Sequence, residues 1–125
     1  MNAKLTDLAR IQEIFEVITE TQRQIFSLKI NKDRFINPSN DADDLIAEGI
    51  LNRVLRITEE AGYISDEIAE KYGFDRHGVR GVRNRLAHAY GEVDREIIWN
   101  VIQEDFDSLI ASCKAFSEDE GIDLN

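Results

Sequence analysis

Residues 41–62 read DADDLIAEGILNRVLRITEEAG. Ile46, Ile50, Val54 and Ile57 recur at steps of three and four, the spacing that stacks side chains on one face of an α-helix. Leu45, Leu51, Leu55 and Ala61 widen that stripe well beyond one face. A helix apolar over so much of its circumference is buried from more than one side. The body of the fold supplies one side, and a partner or a second copy is the candidate for the other. Asp41, Asp43 and Asp44 crowd the first turn, where the helix dipole favours negative charge. They read as caps and a solvated helix end rather than a metal site, since no His or Cys is near and the calcium-loop spacing is absent.

Outward from this helix the pattern stays helical. On the N-terminal side, residues 31–40 (NKDRFINPSN) are a break, with turn chemistry in Asn37-Pro38-Ser39-Asn40. Before it, residues 3–30 predict one long helix. Its stripe is Leu8, Ile11, Phe15, Ile18 and Ile25, interrupted by Gln22, a polar residue suited to a helix crossing. On the C-terminal side, Ser65 caps a short helix to about Tyr72, and Gly73 stops it. Residues 74–78 connect to a helix over about 79–89, which Gly91 ends. Asp94 caps a last helix reaching about Ser117. Ile98, Val101, Asp105, Phe106, Leu109 and Phe116 lie on or near its apolar face, and Trp99 and Cys113 read as core or interface. The acidic end, residues 118–125, is expected to fray. The fold class is all-α: a single domain over 1–125, built as a bundle of four to five helices.

Composition excludes several classes. One Cys among 125 residues rules out an intrachain disulfide. No apolar run approaches the roughly 20 residues of a membrane span. The N-terminal MNAKLTDLAR lacks the apolar core of a signal peptide. The expectation is a soluble cytoplasmic protein with no membrane partner. A net charge of −10 argues against a general nucleic-acid binder, because nonspecific affinity comes from neutralising phosphates. One segment runs against that trend. From Lys71 to Tyr90, five basic residues (Lys71, Arg76, Arg80, Arg83, Arg85) stand against one acid, Asp75, a local +4.

Inside that segment, residues 81–94 read GVRNRLAHAYGEVD. Arg80, Asn84 and His88 share a helix face at steps of four. Arg83 and His88 are five apart, about 140° round a straight helix, so they converge only if the Arg side chain curls or the helix loosens. Arg offers a fork of donors for phosphate oxygens. His exchanges a proton near neutrality. Together they suffice for metal-independent attack of a ribose 2′-hydroxyl on the adjacent phosphate. A general base contributes ~10² to 10⁴ in rate, and an electrostatic stabiliser ~10² to 10³. The leaving 5′ oxygen also needs an acid, which a two-fold dimer with both Arg83–His88 pairs in one cleft would supply. From spacing alone a structural His with surface arginines stays open beside catalysis. His77, after Arg76, reads as surface.

The stretch RNRLAHAYGEVDREIIW resembles the signature of HepT-type proteins, the minimal all-helical HEPN family. The pattern R-x4-H-x-Y, with a polar residue after the Arg, falls on Arg83, Asn84, His88 and Tyr90; Gly91, Val93, Asp94 and Trp99 match the downstream part of the signature. The resemblance implies a HEPN-type bundle of antiparallel long helices, dimeric, with its motifs face to face. It implies a metal-independent ribonuclease toxin paired with an MNT-type nucleotidyltransferase antitoxin that silences it by AMP transfer to Tyr90. Arg83 and His88 would be catalytic, Asn84 positioning, Arg80 and Arg85 RNA-binding; no metal and no cofactor is expected. One departure stands out. Where the family often carries Gly-Glu-Ala, this chain has Thr58-Glu59-Glu60-Ala61, with Glu59 and Glu60 read as solvated. Two other readings stay in view: a non-catalytic helical module that binds nucleotide or substrate for a nucleotidyltransferase, and a purely structural dimerising bundle.

Overall fold

A computed structural model describes residues 3–75, 78–82 and 94–124, with side chains from Thr6 onward. Every regular element among them is helical. In order these are α1 (Ala3–Ser27), α2 (Lys32–Ile36), α3 (Asp41–Gly62), α4 (Asp66–Tyr72), α5 (residues 78–82), α6 (Arg95–Asn100), a π-helical turn (Val101–Asp105) and α7 (Phe106–Glu120). The last three make one continuous rod, since Asn100, Val101, Asp105 and Phe106 all keep right-handed helical torsions. No helix of the described residues is long and apolar enough to cross a membrane.

Long helices form the bundle, and polar contacts give their directions. Arg10 pairs with Glu60 at 3.2 Å, Glu13 with Arg56, and Arg53 donates to the Thr21 hydroxyl at 3.3 Å. Rising numbers on α1 thus meet falling numbers on α3, and the two are antiparallel. Gln22 donates to Asp107 at 3.3 Å, while Cys113 lies 3.8 Å from the Ile11 carbonyl, so α7 is also antiparallel to α1. Gln22 sits at the crossing its place in the stripe suggested. Glu60, expected to be solvated, is held by Arg10. Between the helices lie Ile11, Ile14 and Ile18 of α1, Val54, Ile57 and Ala61 of α3, and Phe106, Cys113 and Phe116 of α7, all buried. Leu45, at the start of α3, is 75 % exposed, so one chain covers the wide stripe of α3 only in part.

The break at residues 31–40 contains a helix. First, α1 ends three residues earlier than expected. Lys29 takes φ 55°, the Ile30 amide reaches back to the Ile25 carbonyl (2.9 Å), and the Lys29 amide reaches Phe26 (3.1 Å). This is a Schellman stop with Lys where Gly is usual, and burial of Ile30 against the core offsets the strained torsion. Asn31 then accepts the Arg34 amide at 2.8 Å and starts α2. Five residues are too few to show a stripe. Phe35 of α2 is fully buried and lies 5.5 Å from the Trp99 ring. Arg34 donates to both oxygens of Asp43 (3.2 and 2.7 Å) and to the Leu28 and Lys29 carbonyls (2.8 and 3.1 Å). Asp43 is therefore a buried ion-pair partner, not a solvated acid. Arg34's hydrogen bonds hold its carboxyl below the usual range.

Local signals set other ends as read. Ser65 accepts the Ile68 amide, and Gly73 stops α4 with φ 80°. The C-terminal segment differs from the expected fray. Helix α7 continues to Glu120, the Ile122 amide bonds back to the Ser117 carbonyl at 2.9 Å, and Leu124 is only 5 % exposed. Two apolar residues within an acidic run are enough to fold it onto the body.

Candidate functional site

Arg83, Asn84, Arg85, His88 and Tyr90 lie outside the described residues, as do Arg76, His77, Gly91 and Val93. Described are the two ends between which the motif is strung, and the walls around them.

The upstream end is α5. The Asp75 carboxylate accepts the Gly78 amide at 3.0 Å, and the Asp75 carbonyl accepts the Val79 amide at 3.1 Å, so Asp75 starts the helix. A Cβ at residue 78 would stand 2.6 Å from Asp75 Oδ2, so a side chain there requires the exposed Asp75 carboxylate to shift. Val79 and Val82 pack against the core. Arg80 is exposed and makes no hydrogen bond or ion pair among the described residues.

The downstream end is firmly anchored. Asp94 caps α6 as its sequence position suggested, accepting the Glu96 amide at 3.0 Å and the Ile97 amide at 3.4 Å. Arg95 donates to the Phe35 carbonyl at 3.2 Å and pairs with Asp44 and Glu48 at 3.4 and 3.7 Å. Lys32 bridges to Glu96 at 3.0 Å. Trp99 is buried against Phe35, so its role is packing.

Beside the upstream end lies a cavity of about 240 Å³, bounded by α3, α5 and the π turn. Buried Ile57 and Phe106 form its floor, Val82 of α5 a wall, and exposed Asp75, Asp105 and Ser108 its rim. The π turn shapes this rim. The Phe106 amide donates to Val101, five residues back, so the turn holds one residue more than an α-turn. The apolar stripe consequently steps from Ile102 to Phe106, and Asp105 swings out of it to the cavity mouth. Partial desolvation at the cavity mouth raises the Asp105 carboxyl above its usual range, and the charges of Glu104 and Asp75 add to the effect. Thr58, the first residue of the Thr-Glu-Glu-Ala departure, lines the same cavity and turns its hydroxyl to the Leu55 carbonyl at 2.8 Å. Among the described residues no group of three or more His, Cys, Asp or Glu could hold a metal ion.

A family model described as Ribonuclease HepT-like matches residues 5–116. The chain belongs to the HepT-like family. Comparison with curated proteins and with solved structures gave no match. The matched span takes in nearly all of α1, the whole of α3, α7 as far as Phe116, the motif and both of its anchors. The resemblance seen in the motif therefore extends over most of the bundle, and HepT-like membership associates the chain with ribonucleases and with toxin–antitoxin pairs. Sequence reasoning passed over Arg95 and Asp105. Arg95 left no signal, because its partners lie 51 and 47 residues earlier. Asp105 left one: an acid within an otherwise apolar stripe.

Proposed function

We propose that this HepT-like chain is a metal-independent endoribonuclease, the toxin of a pair whose antitoxin is an MNT-type nucleotidyltransferase. The observation that carries the reading is the family match over residues 5–116, which encloses Arg83, Asn84, His88 and Tyr90 in the order R-x4-H-x-Y. His88 takes the proton of a ribose 2′-hydroxyl. The freed oxygen attacks the adjacent phosphorus, the bond to the 5′ oxygen breaks, and the products are a 2′,3′-cyclic phosphate and a 5′-hydroxyl. Arg83 stabilises the charge on the phosphate, Asn84 positions it, and Arg80 and Arg85 hold the strand. The leaving oxygen receives its proton from His88 of a second copy, so the active form is a homodimer with both motifs in one cleft. AMP on the Tyr90 hydroxyl places added bulk and negative charge among these arginines and competes with RNA for them.

The exposed guanidinium of Arg80 at the head of the motif, unpaired among the described residues, supports an anionic ligand there. The test is cleavage of a labelled single-stranded RNA by protein made without its antitoxin, with the cut ends analysed chemically. Wild-type protein is expected to leave cyclic phosphate ends. Arg83→Ala and His88→Ala should fold normally by circular dichroism and cut nothing; cleavage at the wild-type rate by either refutes the assignment. Intact mass after co-production with the nucleotidyltransferase should show added AMP, absent in Tyr90→Phe.

A further inference from the structure

We infer that the cavity between α3, α5 and the π turn receives one guanine base of the RNA strand, with the Asp105 carboxylate accepting hydrogen bonds from the N1–H and N2–H of that base. The inference rests on the ribonuclease reading for its ligand and deepens it to a base preference.

Size comes first. A volume of about 240 Å³ lies below the roughly 300–1,000 Å³ of pockets that take drug-sized ligands, so the cavity suits a single ring system. Its floor and walls are mostly apolar, as the faces of a base require; the buried Thr58 hydroxyl there is turned to the Leu55 carbonyl, and the polar side chains of Asp75, Asp105 and Ser108 are exposed at the mouth. Next is position. Val82 lines the cavity and is bonded to Arg83, the residue assigned to the phosphate. On the proposed ribonuclease reading, a base seated here is assigned to a nucleotide close to the cleaved bond. Single-stranded RNA is read in this way, by splaying a base out and hydrogen-bonding its edge.

Charge decides which base. Asp105 makes no hydrogen bond or ion pair among the described residues, and the charged groups among them that act on it, Glu104 and Asp75, are acids. Such a carboxylate repels phosphate and favours hydrogen-bond donors. Guanine presents two adjacent donors, N1–H and N2–H, to a single carboxylate. Adenine and cytosine present one amino group beside a ring nitrogen that is an acceptor, and uracil flanks its one N–H with two carbonyls. An acceptor-only group therefore selects guanine. The π turn, a feature common at functional sites, is what turns Asp105 to this mouth.

The experiment measures binding of the 3′-monophosphates of guanosine, adenosine, cytidine and uridine to full-length wild-type protein and Asp105→Asn by calorimetry. It also maps the cuts that each protein makes in an RNA containing all four bases. A bidentate pair discriminates by about tenfold or more. Wild type should bind the guanosine nucleotide at least about tenfold tighter than the others and cut beside G. Asp105→Asn, exposed and near-isosteric, should fold with unchanged melting and lose both preferences. Equal binding of all four nucleotides, no binding, or a guanine preference retained in Asp105→Asn overturns the inference. Guanine-selective binding with cuts indifferent to the neighbouring base also overturns it, and reassigns the cavity to a free guanine nucleotide. If wild type cuts no RNA, the ribonuclease reading fails, while the binding arm still judges the cavity.

Discussion

Phe35→Ala measures how the short helix α2 locks the start of α6, the element that follows the motif. Phe35 is fully buried, and its ring stands 5.5 Å from Trp99. Removing a buried Phe ring costs about 3–5 kcal/mol, the spread reflecting how far the site collapses. Here Trp99 also borders an open groove of about 680 Å³ beside Phe26 and Ile102, so its indole has room to settle into the vacated space. That places the expected loss near the lower end, about 3 kcal/mol. With a urea slope of about 2 kcal/mol per molar, the midpoint falls by about 1.5 M; the melting temperature falls by roughly 10 °C. Phe26→Ala is the control: the same chemical change at a residue that is 86 % exposed should move stability by no more than about 0.5 kcal/mol. The assay is urea unfolding followed by circular dichroism and by Trp99, the only Trp in the chain. A loss below about 1 kcal/mol for Phe35→Ala, or equal losses for the two variants, would refute the packing of α2 over α6.

Three further outcomes rest on named contacts. Asp94→Ala removes the acceptor for the Glu96 and Ile97 amides and should cost about 1 kcal/mol in urea unfolding, with Asp94→Asn or Asp94→Ser recovering most of it. The Asp43 carboxyl is held below its ordinary 3.8 by Arg34, so the folded state binds its proton less readily than the unfolded one; the pair's stabilisation is present above about pH 3.8 and is lost as pH falls below it, and Arg34→Met should remove that part of the acid dependence in a pH series of melts. Cys113 is fully buried and burial pushes its thiol up to about 12, so native protein should react with a thiol reagent only as fast as it unfolds, and rapid labelling under native conditions would contradict the core position.

The motif and its family were legible in the chain. The basic run from Lys71 to Arg85 stands out against a net charge of −10, and the R-x4-H-x-Y order is read directly from residues 83–90. What could not be read was the wall beside it. A periodic reading puts Asp105 on the apolar face because it assumes 3.6 residues in every turn. One wide turn at Val101–Asp105 breaks that count and moves the acid to a cavity mouth. Arg95 was equally invisible, since its anchoring depends on Phe35, Asp44 and Glu48 arriving from two other helices.

The sequence by itself determined the helical class, the ends of α3 and α4, the start of α6, and the identity of the motif. Those features rest on interactions spanning four residues or fewer: the Asn40, Ser65 and Asp94 caps, the left-handed Gly73, and apolar stripes at helical spacing. Tertiary structure decided the rest. It stopped α1 at a lysine with positive φ, made α2 out of an apparent loop, moved Asp43 and Glu60 from solvent into ion pairs, folded Ile122 and Leu124 back onto the body, and opened a π turn beside the start of the motif. Each of these outcomes sets a local cost against burial or an ionic partner supplied by residues elsewhere in the bundle. Local propensity contains no term for a partner that only folding brings near.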